Sequence, residues 1–192
     1  MNSMKKGSQW ERDICKKLSL WWTEDKRDDV FWRTAGSGAR ATQRAKKQKK
    51  TYGQCGDVQA IDPIGEPLTK LCSIEIKRGY SQNSFADLIE NQAHLVKAPM
   101  YFQFILQARK ECKQAGTYAW MIIAKRDRRM PIIIIPAYFY RAIRKGLCTH
   151  FYAKIKTGYG GSDASIYVTT LDWFFDMCPD VIKNLYEDMK EG

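Results

Sequence analysis

The sequence predicts an α/β fold: a central mixed β-sheet flanked by helices, followed by a C-terminal α+β extension. Three observations predict it. Trp10, Ile14, Leu18 and Trp21 recur at helical spacing near the start. Short apolar runs at Leu71 to Lys77, Tyr118 to Ala124 and Ile132 to Ile135 have the length and composition of buried strands. A helical stretch from about Tyr101 to Gln114 separates the first two of those runs, so helices and strands alternate.

Taken in order, Ser8-Gln9-Trp10-Glu11 fits a capping box, which would open the first helix and carry it to about Trp22. Thr23 to Asp29 is polar and reads as a loop, and Val30 to Arg33 as a short strand. Thr34 to Gly56, rich in Gly, Ala, Lys and Gln, reads as a basic loop that is mobile without a ligand. Asp57 to Ile61 is the next strand, and Asp62-Pro63-Ile64-Gly65 a turn by composition. If that strand forms a hairpin with Leu71 to Lys77, Asp57 comes near Glu75.

After a break at Gly79 to Asn83, a helix capped by Asn83 or Ser84 reaches about Val96. The Tyr101 helix stops at Gly116. The basic turn Lys125 to Arg129 joins two strands that should pair antiparallel. Beyond Pro136 come a helix to Lys145, strands near Phe151 to Lys156 and Ser165 to Thr169, and helices at Leu171 to Phe175 and Pro179 to Met189. The expected organisation is a core over residues 1–136 and an extension over 137–192 packed on it.

A chain of 192 residues with 44% apolar and 28% charged positions can build a real core. It carries no run of about 18 apolar residues and no apolar signal region, which points to a cytoplasmic or nucleoid-associated protein. Six scattered cysteines form no C-x-x-C pair, so reduced thiols are expected. Cys148-Thr149-His150 lacks the further ligands of a zinc site.

The net charge of +11 favours an anionic partner. Val30 to Gly56 contains no acid and carries Arg33, Arg40, Arg44, Lys46, Lys47, Lys49 and Lys50. Most charge runs are merely solvated. This one lacks compensating acids and leads straight into Asp57, which points to nucleic acid. A membrane surface is the competitor, but no amphipathic helix accompanies the run.

In Ser73-Ile74-Glu75-Ile76-Lys77, strand alternation puts Ile74 and Ile76 on one face and Glu75 and Lys77 on the other. Alone, that pair is most simply a surface ion pair. With Asp57 nearby it becomes a candidate for phosphodiester hydrolysis. That reaction needs a hard cation to neutralise charge on the phosphate and to activate water. Magnesium, with manganese as a substitute, takes one or two carboxylates plus water. Asp57, Glu75 and the Ile76 carbonyl would supply oxygens, and Lys77 would orient the attacking water or steady the transition state by its charge.

Asp57 followed by Glu75-x-Lys77 resembles the PD-(D/E)xK nuclease motif, with Gly56-Asp57 where the motif often has Pro-Asp. Lys6-Gly7-Ser8-x-x-Glu11 and Arg33-Thr34-Ala35-Gly36-Ser37-Gly38-Ala39 are similar to segments of archaeal-type Holliday-junction resolvases. The resemblance covers about Lys5 to Ile135. It implies a restriction-endonuclease-like core, Glu11 as a helix-borne acid that helps hold the metal, and Ser37 as a catalytic-site residue. It also implies a glutamine on the helix after Glu75-x-Lys77, for which Gln92 is the matching position. The rival acid Asp62 sits in a turn and off the spacing. Tyr80 and Tyr52 border the site as candidate base-stacking residues.

The reading that follows is a magnesium-dependent endodeoxyribonuclease acting on branched DNA, a Holliday-junction resolvase. A homodimer would supply two cuts, with Tyr138, Phe139 and Trp173-Phe174-Phe175 as candidate interface aromatics. A restriction- or repair-type nuclease and a non-catalytic DNA-binding protein are the alternatives. A viral or mobile-element origin also follows by resemblance.

Overall fold

The computed structural model describes residues 3–34, 56–90, 98–144, 152–156 and 165–191. The chain forms α1 (Ser3–Trp22), β1 (Phe31–Arg33), β2 (Val58–Ala60), α2 (Glu66–Leu71), β3 (Cys72–Arg78), α3 (Asp87–Glu90) and α4 (Met100–Ala115). It continues through β4 (Ala119–Lys125), β5 (Ile132–Pro136), α5 (Ala137–Ile143), β6 (Tyr152–Lys156), β7 (Ser165–Thr170), α6 (Leu171–Phe175) and α7 (Asp180–Glu191). The central sheet has five strands in the order β3-β4-β5-β7-β6. β3 and β4 run parallel, and every other pair is antiparallel. This is the mixed sheet flanked by helices that the sequence predicts.

Strand alternation divides the sheet into two faces. Ile74, Ile76, Met121, Ile123, Ile133 and Ile135 pack with Ile14, Leu18, Leu68, Phe139 and Phe174 on the face covered by α1, α2, α5 and α6. Trp120, Ile122, Ala124 and Ile134 pack with Tyr101, Phe104, Ile105 and Ala108 of α4 on the opposite face. The strands β6 and β7, from the C-terminal part of the chain, extend the same sheet. Their Ile155, Ile166 and Val168 join the α4-side core.

Two local readings change. α1 begins at Ser3, five residues before the expected capping box. Ser8 is therefore inside the helix, where its Oγ accepts a hydrogen bond from Arg12 at 3.1 Å instead of capping a backbone amide. The strand after Asp57 does not form a hairpin with β3. It pairs antiparallel with β1, Phe31 opposite Ala60 and Arg33 opposite Val58. The reason lies between them. Asp62 caps a 3-10 turn over Pro63–Gly65, and Glu66-Pro67 opens a short helix with proline in its first turn. Proline is favoured there because its missing N–H would have no partner anyway. That insertion carries the chain across before β3 starts.

The β1–β2 ribbon is fixed to α1 by a buried serine. Ser19 Oγ accepts from the Val30 and Phe31 N–H groups at 3.1 and 2.9 Å and donates to the Cys15 carbonyl at 2.9 Å. β4 and β5 pair antiparallel across the basic turn as expected, Ile122 opposite Ile134. α4 ends where Gly116 takes the left-handed conformation with φ +70°. Cys15, Cys72, Cys112 and Cys178 are free thiols. Among the described residues no helix is long and apolar enough to cross a membrane.

Candidate active site

The site forms at the free edge of the sheet, along β3. The register sets Glu75 beside Ile122 and Lys77 beside Ala124, so both side chains face α4. The surface ion pair that would be the simplest reading of Glu75 and Lys77 does not describe them. Glu75 is 1% exposed, and its carboxylate lies 2.6 Å from Lys77 Nζ. Lys77 Nζ also stands 5.5 Å from the centre of the Phe104 ring on α4.

Asp57 reaches the same edge without belonging to the sheet. Its N–H donates to the Ile74 carbonyl at 2.7 Å, and its Oδ2 accepts from the Ile76 N–H at 2.8 Å. The Ile76 carbonyl points to the same side as its N–H, as in any strand residue. It therefore faces the edge where the Asp57 carboxylate lies. Gly56 makes this approach feasible. It has φ +83°, and a Cβ there would lie 2.7 Å from the Ile74 carbonyl oxygen. A residue with a side chain would be strained and would push Asp57 off the strand. That is the physical reason for glycine immediately before the aspartate.

Glu11 comes from α1, on the far side of the sheet edge. Its carboxylate lies 3.3 Å from Arg33 Nε, and Arg33 also donates to Ser8 Oγ. Arg33 thus lines the site with its guanidinium on Glu11 and Ser8. Burial and the charge of Asp57 raise the pKa of Glu11, with Arg33, Lys77 and Arg12 acting in the opposite direction. Glu11 and Asp57 are therefore electrostatic neighbours.

Two residues that sequence reasoning missed complete the cluster, Gln107 and Glu111 on α4. Gln107 Oε1 accepts from Lys77 Nζ at 3.1 Å. Its Nε2 donates to Glu75 and to Glu111, each at 3.0 Å. The other oxygen of Glu111 accepts the Gly56 N–H at 3.0 Å. A continuous network thus joins the loop that carries Asp57 to the strand that carries Glu75 and Lys77. The signal was available in part. Gln107 and Glu111 are four apart and stand next to Ala108 and Cys112 of the buried stripe, so they flank the face that packs on the sheet.

The protonation pattern follows from burial and crowding. Burial, a hydrogen bond to Glu111 and the charge of Asp57 push Glu75 up to about 9, against the pull of Lys77. Burial also works to raise Glu111, but hydrogen bonds from Glu75, Gln107 and the Gly56 N–H outweigh it and hold its pKa low. Burial and its acidic neighbours thus favour the protonated form of Glu75. For Lys77 burial works to lower the pKa, yet Glu75, Asp57 and Glu111 prevail and raise it. Lys77 is a cation at neutral pH.

The structure thus brings together Glu11, Asp57, Glu75, Ile76 and Lys77, with Arg33 at the margin. Tyr80 stands beside them, 44% exposed, its ring 5.0 Å from Phe104. Ser37, Arg40, Arg44, Lys46, Lys47, Lys49, Lys50, Tyr52 and Gln92 lie outside the described residues. Among the described residues, the helix glutamine that touches Glu75 and Lys77 is Gln107, on α4. Asp62 is used elsewhere, accepting the Ile64 N–H at 3.0 Å and pairing with Arg27 at 2.7 Å. The aromatics read as interface candidates belong to the chain's own core. Phe139, Trp173 and Phe174 are buried, Phe175 packs against Trp21, and Tyr138 donates to the Tyr118 carbonyl. The apolar stripe that the sequence reads on helices α5 and α6 is spent on the sheet.

The donor set fits a hard divalent cation. Four carboxyl groups (Glu11, Asp57, Glu75 and Glu111) meet two cationic side chains, Arg33 and Lys77. With Glu75 favouring its neutral form, one negative charge stands in excess and every donor is oxygen, which is the charge sign and ligand type such an ion takes. Among the described residues no group of three or more His, Cys, Asp or Glu side chains is placed so that it could hold a metal ion. A hard divalent cation that keeps several waters needs only one or two carboxylates, which Asp57 and Glu75 would supply.

The chain matches the model of a family described as "Phage putative PDDEXK endonuclease" over residues 2–184. No curated protein and no solved structure matches it. The match spans nearly the whole chain, through the C-terminal strands as well as the site just described, and the protein belongs to this PDDEXK endonuclease family.

Proposed function

We propose that this nuclease is a magnesium-dependent endodeoxyribonuclease, active with manganese as a substitute, that hydrolyses phosphodiester bonds in branched DNA as a Holliday-junction resolvase. The observation that carries the metal-dependent part is the buried carboxyl of Glu75 beside Lys77, with Asp57 clamped to the same strand edge. A buried cluster with excess acid is costly unless a cation compensates it. Asp57, Glu75, the Ile76 carbonyl and Glu11 would hold that cation. It would supply charge compensation at the scissile phosphate and activation of the attacking water.

The chain's own residues do the rest. Lys77, held charged by its acidic neighbours, acts as a fixed positive charge facing the phosphorane-like transition state. Gln107 fixes the Lys77 ammonium and the Glu75 carboxyl in one geometry. Arg33 orients Glu11. Ser37 completes the site from the loop after β1, by the likeness of Arg33 to Ala39 to the resolvase segment. The acid-free run with Arg40, Arg44, Lys46, Lys47, Lys49 and Lys50 binds the DNA backbone. Residues 1–136 hold every residue of this site, and residues 137–192 complete the sheet behind it. A twofold dimer would give two cuts on one junction. The phage description of the family supports a gene carried by a virus or mobile element, with the protein acting on DNA in the host cytoplasm or nucleoid.

The branched substrate rests on the likeness of Lys6 to Glu11 and Arg33 to Ala39, and a restriction- or repair-type activity on linear duplex is the competing reading. Cleavage of a synthetic four-way junction against a matched linear duplex, at one salt concentration, separates them. Preferential, paired cuts in the junction are expected. Equal or better cutting of the duplex would sink the resolvase reading and leave the nuclease one standing.

A further inference from the structure

The turn between β4 and β5, Lys125-Arg126-Asp127-Arg128-Arg129, carries four positive charges and one acid, and the active-site cluster uses none of them. Its acid is neutralised, because Asp127 pairs with Arg78 at 2.8 Å. Arg128 and Arg129 are exposed, and Arg128 takes a left-handed backbone with φ +59°, at the tip of the turn.

Hairpin tips rich in charge are usually just solvated. The placement of this one argues otherwise. β3 and β4 run parallel, so their C-terminal ends lie side by side, Lys77 against Ala124 and Arg78 against Lys125. The turn therefore starts one residue past the register partner of Lys77. Neighbouring strands are about 4.8 Å apart and rise about 3.3 Å per residue, so the turn begins within roughly 10 Å of the Lys77 backbone. The turn is also tied to α1. Lys125 Nζ stands 4.8 Å from the centre of the Trp10 ring, and the Arg78 guanidinium 5.8 Å from it. Trp10 immediately precedes Glu11. The basic turn thus sits at the end of the sheet where the α1 acid and the β3 lysine meet, with exposed Tyr80 following β3 on the α4 side.

We propose that this turn is a phosphate-binding rim, with Arg128 and Arg129 gripping the DNA backbone beside the bond that is cut and Lys125 completing the positive edge. The proposal rests on the nuclease reading of the site. Its chemistry is the charge-assisted hydrogen bonding of guanidinium groups to phosphate oxygens, which guanidinium geometry suits. It requires no base contact, so it applies alike to junction and duplex.

The test is binding of a labelled DNA duplex in chelator across a salt series, by fluorescence anisotropy. The parent is compared with R128A/R129A and with K183A/K190A, which removes two exposed charges from α7. Loss of two phosphate contacts makes the salt slope shallower by about 1.8 and weakens binding on the order of tenfold or more near 0.1 M salt. The α7 variant should keep the parent slope. An unchanged slope in R128A/R129A, an equal loss in both variants, or no binding by the parent overturns the proposal. The parent is then given magnesium and the same DNA. Absence of cutting there, with the selective binding loss intact, would remove the nuclease reading and leave the rim standing.

Discussion

Replacing Glu75 by Gln tests the electrostatics of the site most sharply, because it changes one buried atom and should flatten a pH trend. In the folded chain the Glu75 carboxyl titrates at about 9, against 4.5 for an unperturbed glutamate. The folded state therefore keeps a proton that the unfolded state gives up. The stability tied to this group is fully present below pH 4.5 and is lost as pH rises toward 9. Linkage sets the slope at up to about 1.4 kcal/mol per pH unit. Between pH 6 and pH 8 the metal-free protein should lose up to about 3 kcal/mol from this group. For a chain of this length that is roughly 6 to 12 °C in Tm. Glu111 and Lys77 adjust as Glu75 ionises, so the figure is a ceiling. Glu75→Gln holds no titrating proton and should show a much flatter Tm between pH 6 and 8 in chelator. The comparison is of slopes, since the amide also alters the hydrogen bond that Lys77 donates to this side chain at every pH. Calorimetry on both proteins at matched ionic strength decides it. Parallel slopes would refute the claim that Glu75 is held protonated by burial and its acidic neighbours. The parent should also regain stability on adding magnesium more strongly at pH 8 than at pH 6, because cation and proton compete for the same oxygens.

Other substitutions probe the frame around that carboxyl. Gly56→Ala places a Cβ 2.7 Å from the Ile74 carbonyl at φ +83°, so a loss of about 1–3 kcal/mol in chemical denaturation is expected, together with weakened magnesium binding. A variant as stable as the parent would show that Asp57 does not depend on this close approach. Glu111→Ala removes the acceptor of the Gly56 N–H, whereas Glu111→Gln keeps an acceptor oxygen. The alanine variant should lower kcat by about tenfold to a hundredfold with little change in DNA affinity, and the glutamine variant should recover most of it. Equal defects in the two would mean that the charge of Glu111, not its hold on Gly56, is what matters. Lys77→Met should abolish cutting while DNA still binds in a filter or anisotropy assay, and residual cutting near the parent rate would remove Lys77 from the mechanism.

How much of this was legible in the sequence depends on the range of the interactions involved. The faces of β3 follow from alternation alone, which is why Ile74 and Ile76 inward, with Glu75 and Lys77 opposite, could be read from five residues. The stop of α4 at Gly116 and the antiparallel pairing of β4 with β5 are equally local. Asp57 was identified by spacing, but the route that brings it to β3 was not. Three-residue strands carry too little pattern to choose a partner, and the Glu66-Pro67 helix that breaks the expected hairpin is a single short insertion. Ser8 and Glu11 matched a capping box because that motif is defined by spacing. The helix starts earlier, and the two side chains turn to Arg33 instead. Gln107 and Glu111 were missed for the opposite reason. Polar residues four apart on a helix normally face solvent, and only the packing of α4 over the sheet turns this pair toward a carboxyl more than 30 positions away. The aromatics of α5 and α6 show the same lesson in reverse, since a cluster of exposed-looking rings is the inner face of two short helices.

The central claim is that Asp57 and Glu75 form a metal-dependent centre for DNA cleavage. The direct measurement is cleavage of a labelled four-way junction by the parent and by Asp57→Asn, each with magnesium and with chelator. The account predicts cutting by the parent with magnesium alone, and binding without cutting by the variant. Cutting in chelator, or equal cutting by parent and variant, would contradict it.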